Sequence, residues 1–423
     1  MSKLCVTNRK HFAKRMEPNS LLVLFAGSPP VKRGDEFYPF APQRNFLYMT
    51  GIDKPKLIFT LWKHEQDDYT AKLFLERSDA LAAKWTGAAL GAEEAEAFSG
   101  INNFGYTDEL DAYIAGLLVR QNVRDVYIDM ENRSFDAPLT PDLHFAQRLG
   151  ERFPAIRRLD AYPLFTALRA VKAKEEIKSI RRAISITRDG LHAMMKQARP
   201  GMPEYEIEAQ FQYTLCKNGV RRPAFASIIA SGANAAVLHY AENNCMAREN
   251  DLVLCDLGAQ VNWYSADITR TFPVGGVFTE RQKQLYNIVL EAQKRVIAAI
   301  KPGVAFASLN EIVLAYYAKE LRHIGLIEKK DEVSRYYYHG VSHMLGLETH
   351  DIGRGAEGEL KKGMVFTVEP GLYLAEEGIG IRIEDDVLVT ENGCEVLSEG
   401  IVKTVEEIEA LMARKGRSYV GEI

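Results

Sequence analysis

Short apolar runs alternate with amphipathic stretches along the first part of the chain. The runs LLVLFAG, KLIFTLW, AKLFLER and VYIDM have the length and aliphatic content of buried strands, and the stretches AEEAEAF and DELDAYIAGLLVR have helical spacing. Strands that alternate with helices are typical of α/β domains. We therefore expect residues 1–165 to form an α/β N-terminal domain.

The pattern changes in the second part of the chain, where two long amphipathic helices are predicted. The first begins at Lys174 and ends before the Pro-Gly pair at 200–201. The second begins at Thr279, where T-E-R-Q forms a capping box, and ends before another Pro-Gly pair at 302–303. A shorter helix follows each of them. We expect residues 170–423 to form a second domain that contains an internal repeat.

Each copy of the repeat continues with a histidine-containing loop and a β-rich stretch that carries two acidic residues. These residues are His239, Asp256 and Asp267 in the first copy and His343, Glu369 and Glu384 in the second. A duplicated unit that folds against its twin would bring the two acidic stretches face to face. The sequence thus predicts an α+β domain with an internal pseudo-twofold repeat.

The four acidic residues lie in or beside strand-like runs, where Asp and Glu are disfavoured. Asp256 and Asp267 interrupt DLVLCDLGAQVNWYSADITRTF. Glu369 ends GMVFTVE, and Glu384 lies inside IGIRIEDDVLVT. Buried together, four carboxylates would repel one another, and two divalent cations would offset their charge. Oxygen ligands with an imidazole suit Mn²⁺, Co²⁺, Fe²⁺ or Zn²⁺. The alternative is that these carboxylates face water at strand edges or turns.

Histidines are concentrated in the same part of the chain. His339, His343 and His350 all fall inside HGVSHMLGLETH, with glycines that allow close backbone approach. The H-x-x-x-H spacing differs from the zinc-peptidase motif H-E-x-x-H, because Gly340 stands where the catalytic Glu is needed. The cluster therefore favours a metal or substrate site of another type.

Composition and charge exclude several classes of partner. The 423 residues have a formal net charge of −4 and no basic stripe, so we expect neither nucleic acid nor an anionic membrane as a partner. The first apolar run, residues 21–27, is too short for a secretory signal or a membrane span. The five cysteines are far apart and form no C-x-x-C pair. A reducing, cytoplasmic location is expected.

Four segments together resemble the pita-bread metallopeptidases, which include aminopeptidase P, prolidase, methionine aminopeptidase and the metal-free creatinase. The segments are DLGAQVNWYSADITRTF, HGVSHMLGLETHDIG, VEPGLY and GIGIRIEDDVLVT, in the family's order. The resemblance implies a site for two divalent metal ions, with Mn²⁺ the expected ion. By this resemblance Asp256 chelates one metal, Asp267 and Glu384 bridge both, and His343 with Glu369 completes the second.

The resemblance also assigns roles around the ligands. His239 matches a histidine near the scissile bond, and His339 and His350 match histidines that contact the substrate and stabilise its carbonyl. Arg382 matches an arginine of the outer shell, and Tyr373 matches a tyrosine that lines the site. The implied catalytic residues are His239, His339, His350, Glu369 and Arg382. The implied substrate-binding residues are His239, His339, His350, Tyr373 and Arg382.

The N-terminal part indicates which branch of the family this chain is similar to. The stretches RGDEFYPFAPQRNFLYMTGID and ERSDALAAKWTGAALG resemble the N-terminal domain of aminopeptidase P, and so does the serine of HGVSHMLGL. The resemblance implies removal of the N-terminal residue from peptides with proline in second position. Alternatives are an Xaa-Pro dipeptidase and an inactive pita-bread binding module. The family resemblance also implies a homodimer or homotetramer. In such an oligomer Trp85 would close the active site of a neighbouring subunit; the alternative is that Trp85 is an ordinary buried tryptophan.

Overall fold

The computed structural model describes residues 2–65, 68–132, 134–353 and 358–413. The chain divides into two compact units, Met1–Leu168 and Arg169–Ile423. Among the described helices, none has the length and apolar content needed to cross a lipid bilayer.

The first unit is built on one six-stranded mixed sheet. Its helices are α1 (Ser2–Ala13), α2 (Arg44–Thr50), α3 (Ala80–Thr86), α4 (Ala92–Ser99), α5 (Leu110–Arg120), α6 (Pro141–Arg152) and α7 (Tyr162–Arg169), whose last residue, Arg169, belongs to the second unit. Its strands are β1 (Ser20–Phe25), β2 (Val31–Arg33), β3 (Glu36–Phe37), β4 (Ile58–Glu65), β5 (Asp68–Leu75), β6 (Phe104–Tyr106), β7 (Asp125–Ile128) and β8 (Arg157–Asp160). The sheet order is β6-β5-β4-β1-β7-β8, with β1 antiparallel to β4 and parallel to β7.

The apolar runs of this unit form its core, as predicted. Leu21 and Val23 alternate on one face of β1 and pack in the same buried cluster as Leu117 of α5 and Phe145 of α6. The α/β prediction for this unit is confirmed. Trp85 at the end of α3 is 84 % exposed, so its interpretation as an ordinary buried tryptophan is wrong.

The second unit contains two helix pairs and several small sheets. Its helices are α8 (Lys174–Gln197), α9 (Glu204–Lys217), α10 (Glu280–Ala299), α11 (Ser308–His323) and α12 (Val405–Ala413). Its strands are β9 (Ile228–Ser231), β10 (Leu252–Leu257), β11 (Gln260–Val261), β12 (Tyr264–Ser265), β13 (Ile268–Pro273), β14 (Val365–Val368), β15 (Gly371–Leu374), β16 (Ile379–Arg382), β17 (Asp385–Val389) and β18 (Cys394–Val396).

The predicted internal repeat is present in this unit. In the first copy α8 packs on α9 and precedes the sheet β13-β10-β9; in the second α10 packs on α11 and precedes the sheet β14-β17-β18. The predicted start of α10 is confirmed, because the Thr279 side chain accepts from the Gln282 N–H as its N-cap. The helices end before Pro200 and Pro302, as the helix-breaking pairs predicted.

One predicted strand is divided in the structure. The sequence pattern indicates a continuous run through Glu384, but β16 ends at Arg382 and β17 begins at Asp385. β16 pairs with β15, whereas β17 pairs with β14. Between the two strands, the Glu384 N–H donates to the carbonyl oxygen of Thr269 at 3.0 Å, a bond that joins the two copies of the repeat. The backbone therefore changes partner at the position of a predicted ligand.

Candidate metal centre

The four acidic ligand candidates occupy equivalent places at strand ends of the two copies. Asp256 lies near the end of β10, and Asp267 directly precedes β13. Glu369 directly follows β14, and Glu384 directly precedes β17. His343 is fixed beside β14, because its carbonyl oxygen accepts the Thr367 N–H at 3.0 Å. The repeat thus delivers two acidic residues from each copy to one place.

Three of the predicted ligands form the tightest cluster. One ligand atom from each of Asp267, His343 and Glu384 lies within 4.8 Å of the others. His343 Nε2 is 3.4 Å from Asp267 Oδ2 and 3.4 Å from Glu369 Oε1. Asp256 joins the cluster through an arginine, since its Oδ2 accepts from Arg382 at 2.6 Å.

Electrostatic repulsion within the cluster is strong. Burial, followed by the charges of Glu384 and Asp256, raises the pKa of Asp267 well above its usual value. Burial, followed by the charges of Glu369 and Asp256, does the same to the pKa of Glu384. These carboxyl groups can all be ionised together only if positive charge is brought to them.

The donor set fits a divalent cation. Asp256 Oδ1 and Glu384 Oε1 are buried and have no hydrogen-bond partner within the described part of the chain. Such buried acceptors are costly unless they are satisfied. Carboxylate oxygens with one imidazole are ligands that first-row divalent metals accept, and no thiol lies in the set. The second unit therefore contains a possible metal-binding site at Asp267, His343 and Glu384.

Arg382 links the acidic cluster to a neighbouring tyrosine. Its NH2 group donates to Asp256, its Nε to Thr269 Oγ1 at 3.1 Å, and its NH1 to Tyr373 OH at 3.0 Å. Burial alone would lower the pKa of Arg382, but Tyr373, Asp256 and Glu384 outweigh it and raise that pKa well above its usual value. Arg382 is therefore a fixed cation at the edge of the site.

The hydrogen-bond chain continues from Arg382 to His339. Tyr373 OH lies 2.8 Å from His339 Nε2, and His339 Nδ1 lies 2.8 Å from the Gly340 carbonyl oxygen. Because Tyr373 OH accepts from Arg382, it donates to His339 Nε2, and the proton of the neutral imidazole is assigned to Nδ1. Burial raises the pKa of Tyr373 to about 12, and burial lowers the pKa of His339. Both side chains are therefore neutral near pH 7.

The other two predicted histidines lie at the exposed side of the site. The rings of His343 and His350 are 4.2 Å apart between centroids and meet edge to face. Burial, followed by the charge of His343, lowers the pKa of His350, and the charge of His239 contributes as well. His239 is on the exposed loop after the 3-10 turn Gly232–Ala236. His239 is thus near enough to His350 to affect its pKa. His343, by contrast, lies 3.4 Å from the carboxylates of Asp267 and Glu369.

Two aromatic residues that precede His339 have different environments. Tyr337 is a core residue, 3 % exposed, whose hydroxyl donates to Asn310 Oδ1 at 2.8 Å. Tyr338 is 47 % exposed, and its hydroxyl donates to the Ala236 carbonyl oxygen at 2.6 Å. Of the two, Tyr338 is the one available to a ligand.

Two threonines of the site were not found by sequence reasoning. Thr269 Oγ1 donates to Glu384 Oε2 at 2.6 Å. Thr367 Oγ1 accepts from the His343 N–H and donates to Glu369 Oε1, both at 3.2 Å. Each threonine is two residues from an acidic ligand candidate that adjoins the end of its strand, a spacing that places both side chains on the same face. Strand periodicity around the acidic residues was the available signal.

A duplicated helix-and-sheet unit around a buried cluster of carboxylates and imidazole defines a metallohydrolase of the pita-bread type. The chain belongs to metallopeptidase family M24, whose model matches residues 178–391. The model of the aminopeptidase P N-terminal domain matches residues 5–127. The family resemblance and the fold class inferred from the sequence are thereby confirmed.

The similarity to known relatives and to solved structures extends over nearly the whole chain. The Xaa-Pro aminopeptidase of Escherichia coli K12 is 35 % identical over 96 % of this chain and 97 % of its own length. A structure assigned to an aminopeptidase P from Bacillus anthracis matches with a TM-score of 0.96 and 45 % identity, covering 98 % of this chain and 99 % of that one. Zn-substituted E. coli aminopeptidase P in complex with product matches with a TM-score of 0.90 and 32 % identity, covering 99 % of each chain.

Proposed function

We propose that this chain is an Xaa-Pro aminopeptidase that removes the N-terminal residue from peptides with proline in second position. The observation that carries the proposal is the convergence of Asp267, His343 and Glu384 on one buried point, with Glu369 3.4 Å from His343. Relatives named Xaa-Pro aminopeptidase, aligned over nearly the full chain, support the same activity.

The proposed cofactor is a pair of divalent metal ions, with Mn²⁺ preferred and Co²⁺, Zn²⁺ or Fe²⁺ as substitutes. Asp256, Asp267, His343, Glu369 and Glu384 would hold them. When bound, such ions lower the pKa of water towards neutrality and polarise the scissile carbonyl.

Glu369 is proposed as the general base. Its side chain is 15 % exposed, so it lies between the buried ligands and the solvent. The Thr367 hydroxyl donates to Oε1 and fixes the carboxylate, while Oε2 lies 3.8 Å from His339 Nδ1. In that position Glu369 can accept a proton from the attacking water and return it to the leaving prolyl nitrogen.

The exposed histidines are proposed to meet the substrate. His350 and His239 can supply donors to the oxygen of the carbonyl under attack, where negative charge develops. His339 is held by Tyr373, which in turn is held by Arg382. The residue selected in second position has a tertiary amide nitrogen without a proton, so it must be recognised by shape. The exposed ring of Tyr338 and the neighbouring imidazole of His339 are proposed to contact the pyrrolidine.

A peptide panel tests the activity and its nearest alternative. The purified protein is treated with a chelator, reloaded with each metal separately, and given Gly-Pro, Gly-Pro-Pro, a longer Xaa-Pro peptide and a matched Xaa-Ala peptide. We expect cleavage of the Xaa-Pro peptides longer than two residues. Cleavage of Gly-Pro alone would instead identify a dipeptidase, and failure to bind any of the metals would favour the inactive binding module.

The proposal includes a homodimer or homotetramer in a reducing compartment. The exposure of Trp85, 84 %, supports a role at a neighbour's active-site mouth, and the five cysteines are free of disulfides. Light scattering on the wild-type protein and on Trp85→Ala tests the oligomer. A monomeric wild-type protein with full activity would contradict it.

A further inference from the structure

A closed loop separates His343 from His350. The Asp351 N–H donates to the Met344 carbonyl oxygen at 2.8 Å, so the residue after one histidine is bonded to the residue after the other. The two imidazole rings lie where the loop closes and meet edge to face, with their centroids 4.2 Å apart. Because one backbone bond closes the loop, any shift of Asp351 is passed to the adjoining His350.

The carboxylate of Asp351 is held by two buried cations. Oδ1 accepts from Arg169, and Oδ2 accepts from Lys172 Nζ at 3.2 Å. The three side chains are 1–2 % exposed. Arg169 also reaches Glu348 Oε2 at 3.4 Å. The charges of Arg169 and Lys172 keep the pKa of Asp351 below its usual value although burial acts in the opposite direction.

The loop backbone is shaped to admit this carboxylate. A Cβ on Gly346 would overlap Asp351 Oδ2 and lie 3.0 Å from Lys172 Cε. The Gly346 carbonyl oxygen accepts the Ser265 N–H at 2.9 Å, which ties the loop to β12. Glycine at 346 is therefore needed for close approach, since only it leaves room for the buried ion pair.

A buried ion pair is weak evidence for stability, because desolvation offsets much of its attraction. The three buried charges include the residue that follows His350. Positioning of the loop therefore explains their presence better than a contribution to stability does. His350 is exposed and its ring makes no hydrogen bond with the described residues; apart from the contact with the ring of His343, its position depends on the backbone at Asp351.

We propose that Asp351, clamped by Arg169 and Lys172, is a positioning residue that fixes the imidazole of His350 beside His343. The inference rests on the proposed function, in which His350 contacts the substrate. The hydrogen bonds of Asp351 in the described part of the chain go to Arg169, Lys172 and the Met344 carbonyl oxygen, none of which is a proposed metal ligand. Its effect on the reaction is transmitted through the backbone of His350.

The clamp is tested with three variants that disturb it differently. Asp351→Asn removes the charge, Lys172→Gln removes one anchor, and Gly346→Ala displaces the carboxylate without changing any charge. The matched control is Asp125→Asn, which neutralises a largely buried carboxylate paired with Arg157 in the first unit at 2.5 Å. We expect Asp351→Asn to lower kcat about 10- to 100-fold, as loss of outer-shell partners does, with KM nearly constant. The control should retain wild-type kcat.

A double-mutant cycle with His350→Ala separates positioning from general damage. If Asp351 acts through His350, Asp351→Asn should change kcat by less than about 2-fold in the His350→Ala background. An equal loss in both backgrounds would overturn the proposal, and so would a loss of metal that parallels the loss of activity. If Asp351→Asn does not fold, the same double-mutant cycle with His350→Ala is measured with Lys172→Gln and with Gly346→Ala.

Hydrogen exchange gives a readout that does not depend on catalysis. Asp351→Asn should speed amide exchange in a peptide covering residues 343–351 and leave β10 unchanged. Unaltered exchange in that peptide would overturn the clamp even in an active enzyme. A wild-type protein that cleaves no Xaa-Pro peptide would refute the proposed function, whereas the exchange result would still decide whether Asp351 holds the loop.

Discussion

Thr269 Oγ1 donates a 2.6 Å hydrogen bond to Glu384 Oε2, although 115 positions separate the two residues in the sequence. The same hydroxyl accepts from Arg382 Nε at 3.1 Å. One side chain of the first repeat thus orients two residues of the second. Glu384 Oε1, by contrast, is buried without a hydrogen-bond partner among the described residues and is free to bind a cation.

Replacement of Thr269 by valine should weaken metal binding. Valine has nearly the same shape, but it removes both the donor to Glu384 and the acceptor for Arg382. We expect affinity for Mn²⁺, measured by calorimetry, to fall about 10- to 100-fold, the range for loss of an outer-shell partner. Thr214→Val is the control, because the Thr214 hydroxyl donates within α9, to the Gln210 carbonyl oxygen, and has no other partner in the described part of the chain. Equal affinities in the two variants would contradict the assigned role.

The stability of the metal-free protein should fall as pH rises. Asp267 and Glu384 have a folded-state pKa well above their usual values of 3.8 and 4.5, so above those values the folded state holds protons that the unfolded chain releases. Folding stability is therefore present at low pH and is lost as pH rises towards the folded-state pKa values. We expect the Tm of chelator-treated protein to decrease from about pH 5 to about pH 8.

Bound metal should reverse this trend, because cations stabilise the ionised carboxylates. The Tm difference between Mn²⁺-loaded and chelator-treated protein should therefore widen as pH rises. Asp267→Asn lacks one of the repelling groups, so its metal-free form should show a shallower slope and no activity. A steeper slope in this variant would be inconsistent with the proposed repulsion.

Lysine should not replace Arg382. Three different nitrogens of the guanidinium reach Asp256, Thr269 and Tyr373, and a single ammonium cannot reproduce that planar arrangement. We expect Arg382→Lys to lower kcat/KM about 10- to 100-fold, the range for loss of an outer-shell partner, because lysine keeps the charge but loses hydrogen bonds of the guanidinium. The control is Arg281→Lys, at an ion pair with Glu377 whose side chains are 35 % and 36 % exposed; its free energy of unfolding should remain within about 1 kcal/mol of wild type. Steady-state kinetics and chemical denaturation measure both.

Loss of the Tyr373 hydroxyl should act through His339. Without it, Arg382 NH1 loses an acceptor and His339 Nε2 loses the donor that fixes its tautomer. We expect Tyr373→Phe to lower kcat about 10-fold, since one hydrogen bond to a charged group contributes about 1.5–3 kcal/mol. Tyr317→Phe is the matched control: the Tyr317 hydroxyl is buried and has no partner among the described residues, so its removal should leave stability equal or higher. Similar kinetics in both variants would exclude a role for the hydrogen-bond chain from Arg382 through Tyr373 to His339.

The sequence predicted the local elements well because their signals are local. The apolar run at β1, the capping box at Thr279 and the Pro-Gly pairs that follow α8 and α10 each encode a start, a stop or a buried face within a few residues. The division between β16 and β17 was missed, because Glu384 changes partner to meet Thr269, which lies in the other copy. No local pattern contains that information.

By itself, the sequence determined the types and order of the chemical groups: in each repeat, a histidine-containing loop is followed by two acidic residues. Their spacing, together with a family resemblance, was sufficient to name the ligand candidates. Only the tertiary structure decided which groups meet. It placed Asp267, His343 and Glu384 within 4.8 Å, turned Asp256 towards Arg382, and set Asp351 between two buried cations. Such pairings join segments far apart in the sequence, up to 182 positions for Arg169 and Asp351, and they depend on packing and shared burial, which periodicity along the chain does not specify.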